Sequence, residues 1–391
     1  MSQTPPPPAH ALSPPEGLER IAILGSRGFP STYGGYETLV RYLVEDWTKR
    51  GIEVTVYCRE RPAGKRTWSH EGVRCRWTPG IESVSASTLS YGLTNHLDAS
   101  FRDFDAALVV NVANGYFLPF LNLRKIPVAI NTDGIEWERG KWGTLARKVF
   151  RNGAVASARF ADVLIADSVV IAEIWRETFG VESEFVPYGA PVLDLHQPTD
   201  RIEELGLRPG EYRLVVARMV PENNVDLSLD GMLATAGENV IVGTGKGGTP
   251  LENRLADLDR QGRIRWLGHV ADQEQLNQLW AHCGLYLHGH SVGGTNPSLL
   301  QAMGAGAPVI ALDTRFNREV IADEEQLYPT DAGALAELIG RAQADPSLRE
   351  KWSRRGQETV STRYSWADVS QGYLDALALA KSRRNRRFPA R

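Results

Sequence analysis

The 391-residue sequence predicts an α/β protein with two tandem, doubly wound, parallel-sheet domains. Short apolar runs typical of buried strands alternate with amphipathic stretches at helical spacing, which is the pattern of a parallel sheet with helical crossovers. This alternation starts near residue 20, stops in a proline-rich stretch near residue 200, and then starts again. A chain of this length also exceeds what one compact core accommodates. Both domains are therefore expected to be Rossmann-like.

The first domain is predicted over residues 18–190, behind a proline-rich leader (1–17) that we expect to be disordered. Apolar residues at helical spacing, ended by Gly51, predict a helix over 36–49. Apolar runs predict strands at 20–25, 53–57, 106–110, 127–131, 161–166 and 183–187.

Residues 191–210, which contain three prolines and show no periodicity, are predicted to be a linker. The second domain follows at 211–365, then a helix at 366–380 and a basic tail at 381–391. Ligands bind at the carboxyl ends of parallel strands, so the loops in a cleft between the domains are the expected site. The predicted strands of the second domain are 213–217, 239–242, 264–267, 285–287 and 308–312.

Composition excludes several classes of protein. The formal net charge of −3 gives no reason to expect nucleic acid as a partner. Three widely separated cysteines show no metal-ligand or redox spacing, and no apolar run reaches the ~18 residues that span a bilayer. We therefore expect a cytoplasmic protein, soluble or peripheral. The tail carries six cations and no acid, and it is either solvated or held on an anionic membrane surface.

Two loops of the first domain could carry chemistry. Paired Gly34 and Gly35 follow the first strand and precede a helix, so they suit phosphate or sugar contact, although a tight turn explains them too. Asp133 and Glu136 follow the fourth predicted strand and are the candidate catalytic carboxylates. Helix capping and surface ion pairs are the alternative for this pair.

Two loops follow the first strands of the second domain. Arg218 comes one residue after an apolar strand, where a guanidinium suits a diphosphate, although it could be an ordinary surface arginine. The glycine-rich stretch around Lys246 resembles a phosphate loop only loosely, because no Ser or Thr follows the lysine. A flexible loop is the preferred interpretation there.

The stretch HSVGGTNPSLLQAMGAGAPVIAL, residues 290–312, predicts a short helix that begins at the cleft. Gly294 and Thr295 form a permissive turn, and Asn296 is a strong N-cap. The free N–H groups of the helix start would bind an anion. Ser298 and Gln301, three residues apart, would share the helix face nearest that site.

Together these features resemble the GT-B fold glycosyltransferases of the family 4 type. More narrowly, GSRGFPSTYGGYET, NTDGIEWERGKWG, VPENN and HGHSVGGTNPSLL resemble the bacterial rhamnosyltransferases of capsule and exopolysaccharide synthesis. The resemblance extends from about residue 21 to about residue 366.

The resemblance implies a retaining transfer without metal or other cofactor, from a nucleotide-diphosphate sugar to a saccharide or lipid-linked acceptor. The implied donor is dTDP-rhamnose. The implied diphosphate contacts are Arg218, the paired glycines and the amides at 295–297. Asn223 takes the place of a family lysine, and Asp133 that of a family histidine. Gln301 replaces the second of two family glutamates, which weakens a ribose contact by on the order of 1–2 kcal/mol.

Other interpretations stay open on the sequence alone. The protein could be a non-catalytic subunit that binds a nucleotide sugar, a GT-B nucleotide-sugar epimerase, or a nicotinamide-dependent oxidoreductase that lacks the usual glycine fingerprint. Residues 141–160 hold five cations and no acid, with apolar residues at roughly helical spacing. This segment is either a basic helix on an anionic lipid surface or a surface helix packed on its own domain.

Overall fold

A computed structural model describes residues 16–30, 35–83, 87–132, 134–138, 143–194, 196–321 and 323–387. Within these ranges the chain forms two sheets, each combined with helices, and the predicted α/β fold class is confirmed. Most of the predicted leader lies outside the described residues.

The first sheet has the strand order β3-β4-β2-β1-β5-β6-β7-β8, parallel except for the β3–β4 hairpin at its edge. Successive residues of its central strand face opposite sides, since Ile21 and Ile23 belong to one apolar cluster and Ala22 and Leu24 to another. Helices therefore cover both faces, as in a doubly wound sheet. The strands are β1 Arg20–Leu24, β2 Glu53–Cys58, β3 Thr67–His70, β4 Val73–Trp77, β5 Ala106–Val110, β6 Val128–Asn131, β7 Val163–Ala166 and β8 Glu184–Phe185.

The helices of this N-terminal unit lie between its strands, and the first begins at Gly35 as the apolar spacing predicts. Leu39, Val40, Leu43 and Val44 of that helix are fully buried. The helices are α1 Gly35–Lys49, α2 Ser87–Ser100, α3 Leu118–Leu123, α4 Thr144–Phe160 and α5 Val169–Phe179.

The second sheet is parallel between all its described neighbours, in the order β11-β10-β9-β12-β13-β14. Its strands are β9 Tyr212–Val216, β10 Glu238–Val242, β11 Arg265–Gly268, β12 Leu285–His288, β13 Val309–Leu312 and β14 Leu327–Tyr328. The helices of this C-terminal unit are α6 Asp200–Glu204, α7 Val225–Leu233, α8 Pro250–Arg260, α9 Gln273–Ala281, α10 Pro297–Gly304, α11 Arg315–Val320, α12 Ala332–Ala344 and α13 Pro346–Arg363, and α14 Trp366–Arg387 ends the described chain.

The predicted linker is not unstructured throughout. Helix α6 lies inside it, and Ile202 is fully buried. The backbone N–H of Arg201 donates to Oε1 of Gln278 on α9 at 2.9 Å. The end of the predicted linker is therefore packed on the second sheet's helices, a contact that prolines alone do not reveal.

The last helix returns to the N-terminal unit and packs across β5, β6 and β7. At its start, the Trp366 ring stacks on that of Tyr42 with 4.0 Å between ring centroids. Further along, the hydroxyl of Tyr373 accepts a hydrogen bond from Nδ2 of Asn131. The chain therefore crosses between the units twice, and the second crossing ties the end of the C-terminal unit to the first sheet.

The helix does not end at residue 380 as predicted but continues to Arg387. Arg384 is only 4% exposed, and its Nε lies 3.0 Å from Oδ2 of Asp162, which is itself buried. The same carboxylate oxygen accepts from the backbone N–H of Val128 at 2.9 Å. The tail predicted from residue 381 is thus helical up to residue 387 and partly packed: Arg384 pairs with a buried carboxylate 222 residues away in sequence, whereas Arg386 and Arg387 are exposed.

Replacing Arg384 by alanine should destabilise the fold by about 3 kcal/mol, because the buried Asp162 carboxylate loses its hydrogen-bonded cation and keeps only the more exposed Arg387 at 3.7 Å. Arg386→Ala is the matched control, since that arginine is exposed on the same helix. Urea unfolding followed by circular dichroism would measure both variants. Equal midpoints would show that the Arg384–Asp162 pair contributes nothing to stability.

Candidate active site

A cleft with a volume of about 610 Å³ lies between the two units. The residues that line it include several that come just after strands of both sheets. Asp167 follows β7, Arg218 comes two residues after β9, and Gly243 follows β10. The carboxyl ends of the two sheets therefore face each other across the cleft, in the position expected for parallel sheets.

The cleft brings together most of the residues that the sequence indicates. Gly34 and Asp133 lie outside the described residues, so nothing is said of their positions. The predicted residues that line the cleft are Gly35, Glu136, Arg218, Asn223, Gly294, Thr295, Asn296, Ser298 and Gln301.

Arg218 is exposed in the cleft wall, and its guanidinium has no hydrogen-bond or carboxylate partner within the described ranges. Its carbonyl accepts hydrogen bonds from Nδ2 of Asn223 at 2.9 Å and from the backbone N–H of Val220 at 2.8 Å. Asn223 therefore fixes the turn that carries Arg218, while the guanidinium stays available to an anion.

Helix α10 begins at the cleft with the cap that the sequence predicts. Oδ1 of Asn296 accepts from the backbone N–H of Ser298 at 3.0 Å and from its hydroxyl at 2.8 Å. The Ser298 hydroxyl is thus part of the cap, and the helix start has its positive dipole end in the cleft wall.

Gln301 lies one turn into α10 and faces a second amide. Its Oε1 accepts from Nε2 of Gln273 on α9 at 3.4 Å, and both side chains line the cleft. Sequence reasoning missed Gln273, because no local pattern distinguishes it from other polar residues at a helix start.

The glycine-rich stretch after β10 is organised by a carboxylate. Oε1 of Glu252 accepts from the backbone N–H of Gly245 at 2.8 Å, and Glu252 forms a capping box with Thr249 at the start of α8. Lys246 is exposed outside the cleft lining. A carboxylate already occupies the amides that a phosphate would need, so this stretch has no phosphate-loop geometry.

The two units touch at the rim of the cleft. The Thr295 hydroxyl donates to the backbone carbonyl of Asp167, and a Cβ atom added at Gly294 would lie 1.9 Å from Oδ1 of Asp167. Only glycine permits so close an approach at that position. Glu319 of α11 adds a second contact, since its carboxylate accepts from the Ser168 hydroxyl at 2.7 Å and from the Val169 N–H at 2.8 Å.

Comparison with family models divides the chain in two. Residues 18–191 match a domain of unknown function, DUF1972, and residues 200–359 match the family "Glycosyl transferases group 1". The range that matches the glycosyl transferase family covers less than half of the chain, and it contains Arg218 and the whole of α10.

A phosphatidyl-myo-inositol mannosyltransferase of Mycolicibacterium smegmatis is 36% identical over 140 residues, 34% of this chain and 34% of that protein. The chain thus spans about a third of the length of this curated relative. Sucrose-phosphate synthase from Thermosynechococcus elongatus has the same fold, with a TM-score of 0.77 and 19% identity over 92% of this chain and 99% of that chain. HepE of Anabaena, solved with UDP, has a TM-score of 0.72 and 16% identity over the same shares.

Glu319→Ala should loosen the contact between the C-terminal unit and α5. The first N–H groups of α5 would lose their carboxylate acceptor, at a cost of about 1 kcal/mol. Hydrogen exchange at the Val169 amide should then become about five-fold faster. Glu337→Ala is a matched control, because Glu337 is exposed on α12. Unchanged exchange at Val169 would mean that the carboxylate does not hold the two units together.

Proposed function

We propose that the protein is a glycosyltransferase that moves a sugar from a nucleoside-diphosphate donor to an acceptor hydroxyl, with retention and without a metal ion. The observation that carries the proposal is the pairing of the unpartnered Arg218 guanidinium with the start of α10 in one cleft wall. Both features attract phosphate, and both belong to the unit that matches the glycosyl transferase family.

The departing group in such a transfer is a nucleoside diphosphate, which gains negative charge as the bond to the sugar breaks. A fixed guanidinium and a helix N-terminus stabilise that charge without having to reorganise. This is the role that a divalent cation plays in many other phosphate-transferring sites. Arg218 and the amides of Thr295 and Asn296 would therefore replace a metal ion.

Glu136 lies on the opposite wall and is 5% exposed. It belongs to a short 3₁₀ helix, Glu136–Glu138, that follows β6. A carboxylate across the cleft from the proposed diphosphate site would act on the sugar or on the acceptor hydroxyl. Glu136, together with the neighbouring Asp133, is thus our candidate for the catalytic group.

We propose dTDP-rhamnose as the donor, on the strength of the four sequence motifs that resemble bacterial rhamnosyltransferases. Gln301 and Gln273 would hold the ribose hydroxyls between two neutral amides, each of which can both donate and accept. The motifs that support rhamnose say less about the nucleotide base than about the sugar. HepE, which shares the fold, was solved with UDP, so uracil is the base to compare with thymine.

A thermal-shift screen with dTDP-rhamnose, UDP-glucose, GDP-mannose and their free nucleoside diphosphates tests the proposal. We expect the largest shift with dTDP-rhamnose. Arg218→Ala should weaken donor binding roughly 100-fold, about 2.7 kcal/mol, because charge-assisted hydrogen bonds to the diphosphate are lost. Arg263→Ala should bind normally, since that arginine is exposed outside the cleft lining.

A shift with UDP-glucose alone would reject rhamnose as the sugar. No shift with any of the six compounds would reject the function. Product analysis separates the remaining candidates: an epimerase makes a new sugar nucleotide without acceptor, whereas a non-catalytic subunit binds the donor and neither transfers nor hydrolyses the sugar.

We also propose that the acceptor is lipid-linked and that α4 lies on an anionic membrane surface. Arg147, Lys148 and Arg151 are exposed, and Leu145 beside them is 77% exposed. The later part of the helix packs on its own unit, where a Cβ atom at Gly153 would lie 2.6 Å from the Val112 carbonyl. None of the described helices combines the length and apolar content needed to cross a bilayer. Binding through α4 would therefore be peripheral.

Reversing the charge of Arg147, Lys148 and Arg151 to glutamate should abolish sedimentation with vesicles that contain phosphatidylglycerol, because each cation contributes about 1 kcal/mol at such a surface. Wild-type binding should fall as salt is raised and should be absent on phosphatidylcholine vesicles. The matched control reverses three exposed arginines of the C-terminal unit: Arg208, Arg260 and Arg263. Equal binding of both triple variants would remove α4 from the membrane contact.

A further inference from the structure

Glu222 is a buried residue that lines the cleft; it belongs to the VPENN stretch, but neither the resemblance nor the comparisons assign a role to its carboxylate. It lies in a 3₁₀ turn, Pro221–Asn223, just after Arg218, and it is 9% exposed. Its carbonyl accepts from the backbone N–H of Ser291 at 2.9 Å and from the Ser291 hydroxyl at 2.9 Å. The turn is therefore fixed to the loop that leads into α10.

The carboxylate itself is unsatisfied among the residues that the structure describes. Neither Oε1 nor Oε2 of Glu222 makes a hydrogen bond within the described part of the chain, and no ion pair to Arg218 is present there. A buried polar group without a partner is costly, and a charged one more so. The backbone of the turn that contains Glu222 makes its own hydrogen bonds to Ser291. The fold of this turn therefore gives no reason for its side chain to be unsatisfied.

The chemistry of the cleft narrows what could satisfy this carboxylate. A diphosphate carries the same sign of charge and is attracted to Arg218 and the α10 start instead. A divalent cation needs several ligands, and no group of three His, Cys, Asp or Glu side chains is placed to hold one among the described residues. Hydroxyl groups are neutral donors, and a sugar presents them in adjacent pairs that match two carboxylate oxygens.

We propose that Glu222 accepts hydrogen bonds from hydroxyl groups of the transferred sugar and so selects the sugar part of the donor. This inference rests on the proposed function and adds a specificity-determining residue to it. Gly293, which also lines the cleft and has no side chain, lies two residues after Ser291, the residue that binds the Glu222 carbonyl. The nucleotide and the sugar would then be recognised by separate groups of the C-terminal unit.

The test compares each sugar nucleotide with its own nucleoside diphosphate: dTDP-rhamnose with dTDP, and UDP-glucose with UDP. Calorimetry would measure all four with the wild-type protein, with Glu222→Gln and with the matched control Glu274→Gln, which changes an exposed glutamate of α9 outside the cleft lining. Glu222→Gln should bind the preferred sugar nucleotide about ten-fold more weakly and its diphosphate equally well, since only the sugar loses a charged acceptor.

The melting temperature of the free protein gives a second measurement. It should not fall in Glu222→Gln, because the substitution removes a buried charge that has no partner. A structural role would lower it, and that result overturns the inference. Unchanged affinity for the sugar nucleotide, or an equal loss for both members of the pair, overturns it too.

Failure of the proposed function would look different. The wild-type protein would then bind none of the four compounds, and the inference about Glu222 would fall with it. Binding of a diphosphate and its sugar nucleotide with equal affinity by the wild-type protein would reject sugar recognition by Glu222 while leaving nucleotide binding intact.

Discussion

Parallel strands end at the same edge of a sheet, and this constraint determines where the two units of the protein can place their polar loops. Both sheets turn that edge toward the cleft, so Asp167 of one unit meets Gly294 and Thr295 of the other. The last helix holds the two units together, because it continues from the C-terminal unit and packs onto β5, β6 and β7 of the first sheet. The site thus depends on backbone geometry before any particular side chain is considered.

On the proposed function, the cleft wall of the C-terminal unit would bind the diphosphate with one cation and one helix start. Arg218 would supply the cation and α10 the helix dipole, while Asn223, which stands where the family resemblance implies a lysine, donates a hydrogen bond to the Arg218 carbonyl. Where the resemblance implies a glutamate, Gln301 forms an amide pair with Gln273. Among the described residues of this unit that line the cleft, Glu222 is the one carboxylate.

Local sequence patterns predicted what depends on local physics. Runs of buried residues located β1, β2, β5, β6 and most strands of the second sheet, and Asn296 located the start of α10. The β3–β4 hairpin was missed, because Arg74 and Arg76 alternate with the buried Val73 and Cys75 in β4, the strand next to the edge strand β3, and break the apolar run. Its turn at Glu71 and Gly72, both with positive φ, was the available signal.

Residues whose role depends on distant partners could not be predicted in this way. In the sequence, Arg384 is one of several cations in a basic tail. Its role is visible only in the structure, where it contacts Asp162, a residue 222 positions earlier in the chain. Glu319 has no distinctive local sequence, and its role depends on the facing unit. Glu222 lies in the VPENN stretch, but its burial without a hydrogen-bond partner within the described ranges is visible only in the structure.

A second side chain with unsatisfied polar atoms lies near the carboxyl end of the second sheet. His288 is fully buried at the end of β12, neither ring nitrogen has a partner in the described part of the chain, and its ring stacks on that of His290 with centroids 4.4 Å apart. Burial, and secondarily the charge of His290, lowers the pKa of His288 well below its usual value, which keeps it neutral. A neutral imidazole avoids most of the cost of burying a charge, whereas the carboxylate of Glu222 avoids that cost only by protonation or by gaining a donor, so of the two Glu222 is the side chain that a ligand would stabilise more.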